Sequence, residues 1–495
     1  MVLSGRLEPT SKSISEIKRD KLMKAIYLTN MKRIVSASLV ALIIFAGCER
    51  SVDGLSEPTL SQDPIIFSDS FNGMGSDFYF PFLGARPDVF SVDENEGFES
   101  NSSIRFDVPN ANDEAGNFAG AIFRIDGSGR DFTQYDALTF YARASQGVNI
   151  GEFGFGQDFI DNEFLVTSTS VSLGTNWQKY VIPIPDPSKL VDERGVFWFS
   201  AGSQETGGFG YTFWIDELKF ERLGTFAQER PSILGAADGE LTSFIGSSST
   251  IADLTYTVNY LPEGDAPARD ITVIAAPSYF DFTTSDASVA TVSNLGVVSI
   301  VGTGTATITA SLDGEQATGS LEVESLGELA ASPTPSQDAA DVKSIFSDAY
   351  SNETTSNFAP GFGGSTTQTA VLTTSNGTVL NYTNNNFTGI IFDNTVDASS
   401  LSFLNIDVYV QDASANIGLQ IRDVGANQTI ETNVFNGLPE GDDVDYRVNL
   451  TGFDVGVWRS FQIPLAGNIA TQKDNLGALI LTGGPNFILD NIYFY

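Results

Sequence analysis

From Thr305 to Leu312 apolar and polar residues exchange places at every step, the period of a strand that wets one face. Ile406 and Val408 alternate with Asn405, Asp407 and Tyr409, and Ile417, Leu419 and Ile421 with Gln420 and Arg422. Other apolar runs are short. Ala121 to Ile125, Asp136 to Ala144 and Val148 to Gln157 are each bounded by Gly, Asn, Asp or Ser. Helix-period stretches are rare, so the pattern predicts an all-β protein of short strands. At 495 residues there is room for about three domains.

The pattern occurs twice. Ile66-Phe67-Ser68-Asp69 returns as Ile345-Phe346-Ser347-Asp348, Asn117-Phe118-Ala119-Gly120 as Asn386-Phe387-Thr388-Gly389, and Asn149-Ile150-Gly151 as Asn416-Ile417-Gly418. Trp177 precedes Ile182-Pro183-Ile184 at the offset at which Trp458 precedes Ile463-Pro464-Leu465. Each copy closes on strand, turn and strand, with Asp216 or Asp490 among apolar neighbours in the last strand. The expected fold is therefore two jelly-roll β-sandwiches, 64–224 and 341–495, separated by a third β-sandwich over 225–328 and a Pro/Ser/Ala linker over 329–340. Counting alternate residues back from Phe220 and Leu218 puts Trp214, opposite Ile488, in the core.

The polar members of the alternating runs share a sheet face. In the second copy these are Asn405, Asp407, Tyr409, Gln420 and Arg422; in the first the matching positions are Thr139, Tyr141, Arg143, Phe153 and Phe155. Trp198 matches Ile480, on a face with Ser200 and Thr482. Flat rings stack on the apolar face of a pyranose, and amide, carboxylate and guanidinium groups bind its hydroxyls. The loop aromatics Tyr79, Phe80, Phe82, Phe118, Phe362 and Phe387 are placed to rim such a groove. The plain alternative is a solvated face with scattered rings.

Composition narrows the chemistry. The net charge of −36 repels nucleic acid and polyanions and suits a neutral ligand; it also suits a salty medium. The chain has no His, which removes His-based triads, bases and metal sites. One Cys excludes an internal disulfide. That Cys48 follows a basic start at Met31-Lys32-Arg33 and a thirteen-residue apolar run, too short to span a bilayer as a helix but suited to a signal peptide. Phe45-Ala46-Gly47-Cys48 resembles a bacterial lipobox, which implies removal of 1–47 and a lipid on Cys48; 49–63 reads as a polar tether.

The stretch from Ser285 to Ala310, SDASVATVSNLGVVSIVGTGTATITA, resembles bacterial Ig-like domains of the second group, which implies a spacer. The lipobox, the Trp-to-Ile-Pro spacing, the Asp-bearing last strands and the Ig-like stretch together resemble glycan-binding surface lipoproteins of Bacteroidota that accompany SusC/SusD-type importers. The second copy is also similar to non-catalytic modules of laminarin-degrading family 16 enzymes, with Phe362 in Gly361-Phe362-Gly363-Gly364 where a Trp is usual. The resemblance implies an outer-membrane, lipid-anchored protein with polysaccharide as partner, a neutral β-1,3-glucan such as laminarin favoured, and no nucleic acid. It also implies a structural Ca²⁺ on Asp69 with Asp216 and on Asp348 with Asp490; carboxylates bonding loop amides would use the same residues. The Glu-x-Asp-x-x-Glu motif of family 16 hydrolases is absent. The reading is a non-catalytic binder, its rivals an enzyme of another type and an adhesion or scaffold protein that binds no sugar.

Overall fold

The computed structural model describes residues 60–264, 266–411, 415–433 and 437–495. The leader, Cys48 and tether residues 49–59 lie outside them. Among the described residues there is no helix longer than a single 3₁₀ turn. The protein is all-β, as the alternation predicts.

Each copy is two antiparallel sheets packed face to face. In the first module the closing sheet orders Phe90–Asp93, Ser103–Val108, Tyr211–Glu221, Ala137–Ala144 and Gln178–Pro183, with Ile65–Phe67 also paired to Tyr211–Glu221. Its facing sheet orders Tyr79–Pro81, Phe118–Arg124, Gly195–Gly202, Val148–Phe155 and Val166–Leu173. In the second module the closing sheet orders Gln368–Thr374, Gly377–Thr383, Phe487–Phe494, Phe403–Val410 and Trp458–Pro464, again with a short first strand, Lys343–Phe346, beside the last. The facing sheet orders Ser356–Asn357, Phe387–Val396, Leu476–Gly483, Ile417–Asp423 and Val444–Leu450. Strand for strand the orders coincide, which makes the repeated landmarks a structural duplication.

Both last strands carry the same irregularity. Pairing slips between Asp216 and Lys219, and between the partners of Asn405 and Asp407. The residue after each Asp has a left-handed backbone, Glu217 at φ 49° and Asn491 at φ 47°. Such a bulge inserts one residue and flips the faces on either side. Phe213 and Ile215 before it, and Leu218 and Phe220 after it, consequently all point inward. Trp214 does not: it stands on the outer face, contrary to the count from Phe220, because that count ignores the bulge.

A second parity break moves two residues the other way. Ser170 at φ 53° lies where Val148–Phe155 and Val166–Leu173 pair, and beyond it Phe153 and Phe155 face inward with no exposed surface. They are core residues, so neither can bind a ligand.

The region after the first module is less detached than a spacer. Phe226–Ser232, Thr255–Tyr260 and Arg269–Ala275 continue the first facing sheet, joined through Ile274 opposite Thr167 and Ala275 opposite Val166. The buried Tyr279 donates to the carbonyl of Phe164 across this joint. One hydrophobic core runs through both units. A second sheet, Asp238–Ser243, Ser320–Ser325, Gly304–Leu312 and Asp281–Thr284, completes the middle unit beside a three-stranded one around Val297–Ile300. On its other side Phe244 and Leu329 pack with Val379 and Ile488 of the second module, and Ser375 N–H donates to Ile245 O. The Pro/Ser/Ala segment is docked there rather than slung between domains.

Candidate functional site

The residues singled out from alternation fall on opposite sides of the sandwiches. Tyr141 and Arg143 project from the first closing sheet, Asn405, Asp407 and Tyr409 from the second, and Trp198, Gln420 and Arg422 from the facing sheets. They do not form one surface, because adjacent strands in sequence belong to different sheets.

Both closing sheets are covered. In the first module the 94–102 loop folds over the sheet: Phe98 stacks on Tyr141 with centroids 3.7 Å apart, and Phe98 N–H and Ser100 Oγ donate to Asp216. Arg143 lies 4.7 Å from the Trp214 ring centre and 5.8 Å from that of Trp177, and Trp214 Nε1 donates to Asp93. In the second module a two-residue hairpin turn at 375–376 replaces that loop, and the interdomain segment takes its place. Ser332 Oγ donates to Asp490, Asn491 Nδ2 to the Pro333 carbonyl and to Asp407, and Trp458 Nε1 to the Ala330 carbonyl. Asn405 bonds the Asn491 carbonyl, and Tyr409 packs between Trp458 and Phe244. Tyr141, Asn405, Asp407 and Tyr409 are thereby engaged in holding the fold, a correction to their expected place on an open groove.

Burial also sets the charge of these carboxyls. Desolvation raises Asp216 and Asp490 to about 6 and pushes Asp407 up, against the hydrogen bonds that pull each down. Asp69, Asp216, Asp348 and Asp490, the expected calcium partners, are held in different ways. Asp69 is exposed and accepts Ser102 Oγ through its backbone carbonyl, while Asp348 accepts the Thr378 N–H. Asp216 already takes donors from Phe98, Ser100 and Glu217. Amide and hydroxyl donors thus engage the carboxylates of Asp216, Asp348 and Asp490.

The facing sheets present the open surface. In the second module Phe362 lies across Gly389: a methyl group built there would meet the ring at 2.9 Å. Phe362 is aligned with Phe387 at 15° with centroids 6.4 Å apart. The loop that carries Phe362 is pinned by Ser365 and Thr367 hydroxyls to the Phe387 carbonyl. Cross-strand register then sets Thr482, Gly418 and Asn449 in one row and Ile480, Gln420 and Arg447 in the next. Thr482, Asn449 and Arg447 are exposed. Arg422, at 0% exposure, is no contact residue. It anchors the face from beneath through Asp443, Gln420 and the carbonyl of Glu431.

The first module repeats the device with other side chains. Phe82 lies across Gly120, 2.8 Å from a methyl built there, and meets Trp198 edge-on at 6.4 Å. Trp198 spreads over Gly154 and is only 4% exposed, so it is the floor of this face and not its contact surface. Arg124 sits over Phe80 at 5.2 Å and Phe159 at 5.6 Å and donates to the Asp158 carbonyl. Phe159, Ile160 and Leu83 are exposed. Phe159, Ile160, Arg124 and Arg447 escaped the reading of the sequence, since they have no counterpart at matching positions in the other copy. Aligning the Asn-Phe-x-Gly landmark with the Phe that precedes it would have found the lidded glycines.

No protein-family model matches the sequence, and no curated protein does. Solved structures similar to it include a family 30 carbohydrate-binding module, 20% identical, covering 32% of this chain and 88% of that one at a TM-score of 0.25. The N-terminal CBM22-1–CBM22-2 tandem domain from Paenibacillus barcinonensis Xyn10C is 10% identical over 89% of this chain and 98% of its own, TM-score 0.20. A β-1,2-glucanase from Parabacteroides distasonis is 12% identical over 54% and 40%, TM-score 0.22. At such distances the function has to be read from the side chains.

Proposed function

We propose that this is a non-catalytic polysaccharide-binding protein whose two facing sheets each lay rings and hydroxyl-binding groups along a glycan. The observation that carries the reading is the second-module face. There Phe362 and Phe387 lie nearly parallel beside two rows, one with Thr482 and Asn449 and the next with Gln420 and Arg447. Rings of this orientation stack on pyranose faces, and the neighbouring amides, hydroxyl and guanidinium serve the sugar hydroxyls. The chain's negative charge favours a neutral glycan, with a β-1,3-glucan such as laminarin first. Two faces on one chain would add avidity. A lipid on Cys48 at the outer membrane, and hand-over to a SusC/SusD-type importer, complete the reading.

Affinity electrophoresis of the whole chain against neutral and acidic glycans tests it. Retardation on a neutral glucan is expected, and the double variant Phe362→Ala, Phe387→Ala should weaken it by about tenfold, at roughly 0.5–1.5 kcal/mol per stacked ring. Release of reducing ends from the same panel would point to the enzyme instead. No retardation on any glycan leaves the scaffold.

A further inference from the structure

We propose that the loop joining Ile417–Asp423 to Val444–Leu450 holds a divalent cation, calcium by preference, on Glu431, Asp442 and Asp443. One carboxylate oxygen from each lies within 4.8 Å of the others. A cluster of acids can be ordinary surface, and here the bonding of each member decides. Asp442 Oδ2 accepts the N–H groups of Ala426 and Asn427, and Glu431 Oε2 accepts that of Asp442. Asp443 Oδ2 accepts Arg422 and the Glu431 N–H, both at 2.9 Å. Its other oxygen, Oδ1, is sealed from solvent and has no donor, although the Asp443 side chain has no exposed surface at all. A buried carboxylate oxygen without a partner is costly, and a cation supplies the missing one.

Charge sets the valence. Three carboxylates against the Arg422 guanidinium leave two negative charges. The nearby Arg447 pairs with Asp445 through Nε and bonds the Gly437 carbonyl through Nη2, and not the three carboxylates. The donors are all oxygen, and a chain without His and with a single Cys at 48 offers no softer ligand. Calcium tolerates the irregular oxygen sets that loops provide, whereas magnesium demands a near-ideal octahedron. The ion would tie Glu431 to Asp442 and Asp443, and so hold the Glu431 carbonyl and Asp443 against Arg422. The first module has no such set among its described residues.

The site stands without the glycan reading, and the experiment keeps them apart. The full chain, stripped with EDTA and dialysed, is titrated with CaCl₂ or MgCl₂ by calorimetry and followed by thermal unfolding. One saturable calcium event is expected, tighter than for magnesium, with a rise in the unfolding midpoint of the second module. Asp442→Asn and Glu431→Gln, which change no side chain bonded to Arg422, should each weaken that event by about tenfold or more, or 1.4 kcal/mol and above. Asp474→Asn, an exposed carboxyl outside the loop, should leave it unchanged. Absence of a calcium event, or an event that survives in both loop variants, overturns the proposal. Calcium binding without glycan retardation would sink only the glycan reading.

Discussion

Between its sheets the first module packs rings: Phe106, Phe123, Phe140, Phe153, Phe197, Phe199 and Phe213 form one network of edge and stacked contacts. The second keeps one stacked pair at matching positions, Tyr382 and Phe487 with centroids 5.2 Å apart, and packs aliphatic residues around it: Leu380, Ile390, Leu404, Ile406, Leu419, Leu479 and Leu489. The strand order is the same. Alternation, the bulge after the buried Asp and the Phe-lidded glycine are what both copies keep, and these are backbone devices. Side-chain identity within the layers differs between the copies.

The difference is compensated pair by pair on the facing sheets. Trp198 stands opposite Gly154 in the first module, and Ile480 opposite Gln420 in the second. A large ring needs a neighbour without a side chain, and a smaller residue leaves room for an amide. Two residues on from Gly154 is Gly156, and two on from Gln420 is Arg422. The first face therefore has a ring for its floor, and the second rests on a buried ion pair.

The most severe way to break this contrast is Arg422→Met. It strands Asp443 without its countercharge and takes donors from Gln420 and Glu431. Removing one partner of a buried pair costs about 3–5 kcal/mol. Peptide-resolved hydrogen exchange should show faster opening across Ile417–Asp423 and Val444–Leu450, with Val148–Phe155 unchanged. Equal protection of the second module in the variant would mean that the pair is incidental to it.

The closing sheets sharpen the comparison differently, since one is covered by its own loop and the other by a neighbouring unit. Phe244→Ala removes a buried ring from the contact with Ile488, Val379 and Tyr409. A cost of about 3 kcal/mol is expected. It should appear as a red shift of Trp458 emission and faster exchange at 329–333, because the Ala330 carbonyl that accepts Trp458 Nε1 belongs to that segment. Trp emission that stays put would show that the hydrogen bonds to Asp490 and Asn491 hold the segment without the ring.

How far the sequence carried is clearest at particular residues. The duplication was legible because Asn-Phe-x-Gly, the Trp-to-Pro spacing and the Asp of the last strand recur in order. Fold class was legible because alternation is local. Faces were not, because a local flip of a strand reverses them: Trp214 moved outward past the bulge at Glu217, and Phe153 and Phe155 moved inward where the register does not slip. Cover was not legible either. Nothing near Asp407 or Tyr409 in the chain announces that Ser332 and Phe244, many residues away, close over them. The buried Arg422 read as surface for the same reason, since Glu431, Thr432, Gly437 and Asp443, which close over it, come later in the chain.

The weakest expected effect is the one shared by both modules, the titration of Asp216 and Asp490. Burial raises each from the ordinary aspartate range to about 6. The folded state therefore holds these protons more tightly than the unfolded chain does. Their contribution is fully present below about pH 4 and is lost as pH climbs through 6, so stability should fall across that window and level off above it. In the first module Glu193, raised to about 8 by desolvation, extends the decline further. The hydrogen bonds from Ser332 and Asn491 to Asp490, and from Phe98, Ser100 and Glu217 to Asp216, already oppose the shift, and the rise that remains corresponds to at most about 3 kcal/mol per aspartate. Urea midpoints measured from pH 4 to 8 for the whole chain should slope downward, and Asp490→Asn should flatten the slope in second-module peptides while leaving the first module's intact. A slope of opposite sign would mean that the two aspartates are held as anions, and that the covers over the closing sheets are anchored by charge instead of being laid over neutral acids.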